Sequence, residues 1–238
     1  MFLENIVFDA AEPRESGVFW QELLGCEQLT DSDQGFETRY SVAGGPVLDL
    51  CFPHVQTPSP SAQRLTLILD TPREAGAGAT REVPGLLREH DPAGNVFLTP
   101  PLGERREGCP RVRISQMRME SKDPQGDARF WAEFSGWRND GNQGAARLSH
   151  PSGRGPSLQF VTEASSKGEY DKNPMHLDLR LEPGDDPDAV ARSICAAGGR
   201  ELCPDWGDLP WRVFQDPSGN EFCVLPVPVA KLDLDSGD

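Results

Sequence analysis

Pro124-Gln-Gly-Asp-Ala-Arg-Phe-Trp131 decides how this chain is read, because Pro13-Arg-Glu-Ser-Gly-Val-Phe-Trp20 repeats its frame. Both stretches open on proline, close on Phe-Trp and run on to a glycine, Gly136 or Gly25. Proline suits the first turn of a helix and glycine suits its end, so each stretch reads as the same short helix used twice. Two further pairs follow in the same order. Gly45-Pro46-Val-Leu-Asp-Leu50 matches Gly155-Pro156-Ser-Leu-Gln-Phe160, and Asp91-Pro-Ala-Gly-Asn-Val-Phe-Leu98 matches Asp216-Pro-Ser-Gly-Asn-Glu-Phe-Cys223. Ordered self-similarity of this kind marks a duplicated unit. It predicts a domain over 1–102, a linker over 103–110, a second domain over 111–228 and an acidic, frayed tail over 229–238.

The second copy shows the pattern most clearly. Residues 114–120 alternate with period two, and Asp123-Pro124 then opens a helix in which Phe130, Trp131 and Phe134 share a face. Strands are expected near 144–149, 156–163 and 174–181, then a helix over 187–197 that ends at Gly198-Gly199. Short strands near 200–203, 211–215 and 220–226 complete it, the last two joined by the Asp216-Pro-Ser-Gly-Asn220 turn. The order is strand-helix-strand-strand-strand, twice per domain. In strand 174–181, Met175, Leu177, Leu179 and Leu181 alternate with His176, Asp178 and Arg180. One face packs on helices; the other is polar and can curl into a cup.

Composition narrows the partners. Asp and Glu number 38 against 23 Lys and Arg, a net charge of −15, with no basic cluster. Nucleic acid and anionic membrane surfaces are therefore not expected partners. No stretch approaches the roughly 18 apolar residues of a membrane span. The N-terminal residues lack a basic region followed by an apolar run, so no secretory signal is read there and a cytoplasmic location is expected. The six cysteines include no Cys-x-x-Cys pair and are expected to be reduced and mostly buried.

His176-Leu-Asp-Leu-Arg180, the helix ending Ala196-Ala-Gly-Gly199 and the Asp216–Cys223 turn-strand closely resemble glyoxalase-like domains of the vicinal oxygen chelate superfamily. The first copy resembles them more weakly, through its Phe-Trp helix, Phe52-Pro-His-Val55 and Asp91-Pro-Ala-Gly-Asn95. The resemblance implies an α+β fold of two tandem domains. Each would hold paired βαβββ modules forming a cupped, mostly antiparallel sheet with helices on its outer face. Members of that superfamily include glyoxalases, extradiol dioxygenases, epimerases, thiol transferases and metal-free antibiotic-sequestering proteins, so fold alone does not fix chemistry.

Carried over from the metalloenzymes, the ligand positions of the second domain are Gln116, Gln159, His176 and Cys223. Gln116 and His176 suit the pattern, whereas an amide and a thiol replace the expected glutamates. Glu221, on the face of Cys223, is the substitute carboxylate, giving Gln116, His176 and Glu221 as the metal candidates. The first-domain equivalents, Asn5, Asp49, Thr66 and Leu98, make no metal site. The candidate ligand-binding residues are Gln116, Arg118, Gln159, His176, Asp178, Trp211, Glu221 and Cys223. Trp206 and Trp211 flank a loop and are candidate stacking residues, whereas Trp20 and Trp131 read as core. Arg118, Glu120, Arg180 and Glu221 can equally close the cup by pairing with one another. The reading reached is a protein that binds a small molecule in the second domain's cup without metal or other cofactor. The alternative is a lyase, isomerase or dioxygenase that uses Zn, Ni, Mn or Fe. A purely interacting scaffold would lack a cup of useful size. Four modules can complete two pairs within one chain, so a monomer is expected, with a homodimer as the alternative.

Overall fold

The computed structural model describes residues 1–70, 85–101, 112–140, 146–168, 171–203 and 209–228. The linker, the tail, Trp206 and the expected strand start at 144 lie outside these residues. The chain begins with β1 (Phe2–Phe8), α1 (Pro13–Leu24), β2 (Glu27–Ser32), β3 (Gly35–Ser41) and β4 (Val47–Pro53). Then come β5 (Leu65–Asp70), β6 (Leu87–His90) and β7 (Val96–Thr99). The second half supplies β8 (Arg113–Ser121), α2 (Pro124–Phe134), β9 (Arg138–Asn139), β10 (Arg147–Ser149) and β11 (Ser157–Thr162). It ends with β12 (Met175–Arg180), α3 (Pro187–Ala196), β13 (Arg200–Leu202), β14 (Arg212–Gln215) and β15 (Glu221–Leu225).

The expected elements form, with proline at the start of each helix. Asp123 and Asp186 cap α2 and α3 through their side chains, satisfying free N–H groups of the first turn. Gly25 ends α1 in the left-handed conformation. Gly17 of α1 lies against the Phe36 ring with no room for a Cβ, which brings the helix close to β3.

Two sheets result, one in the order β13-β14-β15-β12-β1-β4-β3-β2 and the other β6-β7-β5-β8-β11-β10-β9. Within each module the first strand runs parallel to the last, as β1 with β4 and β12 with β15. That leaves one edge of each first strand free. The free edges join antiparallel across the two halves of the chain, β1 with β12 and β5 with β8. The eight-stranded sheet therefore takes its modules from residues 2–53 and 175–225, and the seven-stranded sheet from 65–99 and 113–162. The expected pairing of consecutive modules within one sheet does not form, because each first strand pairs with one from the other half of the chain. Consecutive modules meet through their helices instead.

That contact explains the repeated motifs. The Trp20 indole Nε1 donates to Asp91 at 3.0 Å, and the Trp131 Nε1 donates to Asp216 at 3.1 Å. Each Phe-Trp helix is thus tied to the Asp-Pro-x-Gly-Asn turn of the module that follows. Trp20 also packs on Phe8 of one sheet and Phe97 of the other. Both tryptophans are buried, and one apolar cluster runs between the sheets. Each sheet keeps its other face for a cup.

Candidate functional site

In the eight-stranded sheet, Met175, Leu177 and Leu179 enter the core, so His176, Asp178 and Arg180 face the cup. On β15 the same alternation sends Phe222 and Val224 inward and Glu221 and Cys223 to the cup. Asp178 lies beside Cys223 across one strand pair and beside Asn5 across the other. His176 Nε2 is 3.7 Å from Cys223 Sγ and 3.4 Å from Asp178 Oδ1, while Asn5 Nδ2 donates to Asp178 Oδ2 at 3.2 Å. Burial would lower the His176 pKa, but Asp178 and Cys223 outweigh it and raise the value to about 10. Burial pushes the Cys223 thiol up, against the pull of His176. Both shifts favour a protonated imidazole beside a protonated thiol. Cys223 is not an activated nucleophile.

The rest of this cup is closed by its own pairs. Lys167 bonds to Glu221, which also accepts from Gln215 Nε2 at 3.3 Å and from the Asn173 backbone at 3.2 Å. Arg180 binds Glu4 at 2.6 Å, and Arg39 binds Asp49. Trp211 stands at the start of β14, 37% exposed.

The metal test turns on the donors present. His176, Asp178 and Cys223 place one nitrogen, one oxygen and one sulfur within 4.8 Å of one another. Metal–ligand bonds of about 2.0–2.3 Å in a tetrahedron separate neighbouring donors by about 3.3–3.6 Å. The observed 3.4 and 3.7 Å come close to that. A thiolate with an imidazole suits zinc and does not suit a hard ion. Among the described residues His176 Nδ1 has no partner, so none of them supplies the usual acceptor behind a metal-bound histidine. The set Gln116, His176 and Glu221 does not assemble, because Gln116 lies on the other sheet and Glu221 is engaged by Lys167.

The seven-stranded cup has a different chemistry. Met117 and Met119 point into the core, so Gln116, Arg118 and Glu120 face the cup. Arg118 is flanked across its neighbouring strands by Thr66 and Gln159, and Gln116 by Ile68 and Ser157. Glu120 lies 3.8 Å from the buried Arg64 guanidinium. Arg118 has no hydrogen bond or ion pair among the described residues, and its Nε is buried with no acceptor. The Ser157 hydroxyl is likewise buried and unpartnered. A cavity of about 500 Å³ opens at Thr66, the neighbour of Arg118 across the sheet, lined also by Arg88, His90 and Val96, the 93–95 turn, the 58–63 segment, Asp9 and Pro174. Its size is ordinary for a small-molecule site.

The four positions carried over as one set thus fall on two sheets. His176 and Cys223 share a cup with Asn5 and Asp49, whereas Gln116 and Gln159 share one with Thr66 and Leu98. The alternative of mutual pairing among Arg118, Glu120, Arg180 and Glu221 does not form: three of them have other partners, and Arg118 has none among the described residues. The sequence reading missed Asn5, Thr66, Ser157 and Lys167 as site residues. Period two in Ser157-Leu-Gln-Phe160 marks Ser157, and the repeat marks Asn5 and Thr66 as equivalents of ligand positions without giving them a role; nothing local marks Lys167. The five described cysteines are free, with Cys195 and Cys203 exposed rather than buried. Among the described residues no helix is long and apolar enough to cross a membrane.

Comparison with known proteins agrees with this architecture. A family model described as a glyoxalase-like domain matches residues 5–99 and again 116–225. Among solved structures, a candidate dioxygenase from Bacillus subtilis superposes with a TM-score of 0.59 at 16% identity, covering 96% of this chain and 86% of that one. Glyoxalase I from Zea mays superposes at 0.58 and 14% identity, covering 94% and 92%. These identities speak for the fold alone. No curated protein sequence matches the chain.

Proposed function

The chain belongs to the glyoxalase-like domain family, and from that premise we propose that it is a small-molecule-binding protein whose ligand occupies the cup of the seven-stranded sheet. The carrying observation is the contrast between the cups. In the eight-stranded sheet the charged side chains Glu221, Arg180 and Asp178 each have a protein partner, although His176 Nδ1 and one Asp178 oxygen make no hydrogen bond among the described residues. In the seven-stranded sheet Arg118 has no ion-pair or hydrogen-bond partner among the described residues, and Thr66, directly across from it, lines an open cavity. A charged guanidinium in a folded protein is normally given an acceptor, and a bound ligand is the acceptor proposed for Arg118. A fragment library screened by thermal shift tests the proposal, with Thr66→Phe as the cup-filling variant. Hits that stabilise the wild type and lose their effect in Thr66→Phe support it. Hits that stabilise both proteins equally overturn it.

A second reading rests on the His176, Asp178 and Cys223 donor separations. Zinc held by these three would keep a fourth position open and could supply Lewis-acid activation of a bound oxygen, the chemistry of a lyase or isomerase. Asn5 would orient Asp178 by holding its other oxygen. Titration of chelator-treated protein with cobalt(II) decides this reading. Thiolate-to-cobalt absorption saturating at one equivalent, and lost in Cys223→Ser, supports it; no such absorption rejects it.

A further inference from the structure

The ligand's class follows from how the fold treats its arginines. On the strands, Arg39 pairs with Asp49, Arg113 with Asp70, Arg180 with Glu4 and Arg212 with Glu201 and Asp188. The exposed strand arginines, Arg88 and Arg138, need no partner because water serves them. Arg118 is the exception. It is half-buried at the centre of β8, its Nε is shielded from solvent, and it has no acceptor among the described residues.

Its acidic neighbour does not fill the gap. Glu120 shares the face of Arg118, yet its carboxylate lies beside Arg64, whose guanidinium also binds Glu163 at 2.7 Å. Asp9, at the cavity wall, is bound by Lys172. The acids around this cup are thus already matched by bases while Arg118 is not. This occurs in a chain of net charge −15, where an intramolecular partner would be easy to supply. A guanidinium whose Nε is shielded and unpaired lacks an acceptor, and a carboxylate or a phosphate can supply two oxygens to its fork through parallel N–H···O bonds.

We infer that the ligand presents an anionic oxyacid group, a carboxylate or a phosphate, to Arg118. This rests on the placement of the ligand in the seven-stranded cup. Gln159 and Thr66, directly across from Arg118, supply the flanking polar contacts. Ile68 and Leu98, neighbours on β5 and β7, give an apolar wall for the remainder of the ligand.

The test uses benzoate, phenyl phosphate and the neutral benzamide, titrated while the Arg118 Nε–H resonance is followed in proton–nitrogen correlation spectra. That resonance is identified by its loss in Arg118→Gln. The expected result is that at least one anion shifts it and binds at least about tenfold tighter than benzamide, an advantage in the range of charge-assisted hydrogen bonds. The preferred anion identifies carboxylate or phosphate as the group recognised. In Arg118→Gln the advantage should disappear while benzamide binding is unchanged; Arg118→Lys, which keeps the charge but not the fork, should retain part of it. If all three probes bind the cup equally and Arg118→Gln changes nothing, the cup reading stands and the anion inference falls. If no probe shifts any cup residue, both fall.

Discussion

Asp178 is a carboxylate, 6% exposed, that is divided between the two halves of the chain. One oxygen accepts from Asn5, the other faces His176 at 3.4 Å, and neither reaches bulk water freely. Hydrogen bonds to a buried charge are among the stronger ones, so Asn5→Ala should cost about 1–3 kcal/mol. Urea unfolding measures this, and a loss below about 0.5 kcal/mol would mean that Asp178 finds another donor. The His176-Leu-Asp178 string stood out in the sequence because period two placed both polar groups on one face. Asn5 did not stand out, since its partner lies 173 residues away and no local pattern carries that distance. Arg118 was visible as a cup residue for the same reason as His176. Its lack of a partner was not, because pairing depends on which strands become neighbours.

The helix and the turn that the sequence repeats are halves of one device. Trp131 on α2 donates to Asp216, whose side chain also accepts from Asn220 Nδ2 and from the backbone N–H groups of Ser218 and Asn220. Trp131→Phe keeps most of the ring packing on Phe222 but withdraws one donor from a buried carboxylate, at a cost of about 1–3 kcal/mol. Comparable destabilisation is expected for Trp20→Phe at Asp91. A difference of more than about 2 kcal/mol between the two, read by denaturant unfolding, would break the equivalence. Burial, then the nearby Asp127 carboxylate, raises the Asp216 pKa to about 7 despite these donors. An unfolded chain releases such a proton near about 3.9. The folded state therefore holds the proton more tightly. Its contribution to stability is complete below about pH 4 and is lost as pH rises through about 7. Between pH 5 and 8 the melting temperature of the wild type should fall more than that of Asp216→Asn. Parallel curves would show that Asp216 titrates normally. The repeat exposed both the helix and the turn in the sequence, yet it did not show that they touch.

At the scale of the molecule, each sheet is shared between halves, while each half is held together between the sheets. The first strands β1, β5, β8 and β12 each need a partner from the other half. Residues 1–101 or 112–228 expressed alone should therefore fail to give a cooperative monomer, and co-expression should restore a one-to-one complex. A stably folded, monomeric half would refute the shared-sheet architecture. The intact chain completes both pairings internally, so sedimentation should report a monomer of 26.1 kDa; a dimer at micromolar concentration would show that an edge strand is used for assembly. Duplication and alternation made the modules legible. The choice of partner was not, because every first strand offers the same free edge and long-range pairing leaves no local signature. That choice moves Gln116 and Gln159 away from His176 and Cys223, and with them the candidate site. A crystal structure grown with saturating benzoate or phenyl phosphate tests that placement most directly. The anion should sit against Arg118 in the seven-stranded cup, with its ring toward Ile68 and Leu98. An anion seated instead at His176 and Cys223, or Arg118 found bound to a carboxylate of the protein with the cup empty, would contradict it.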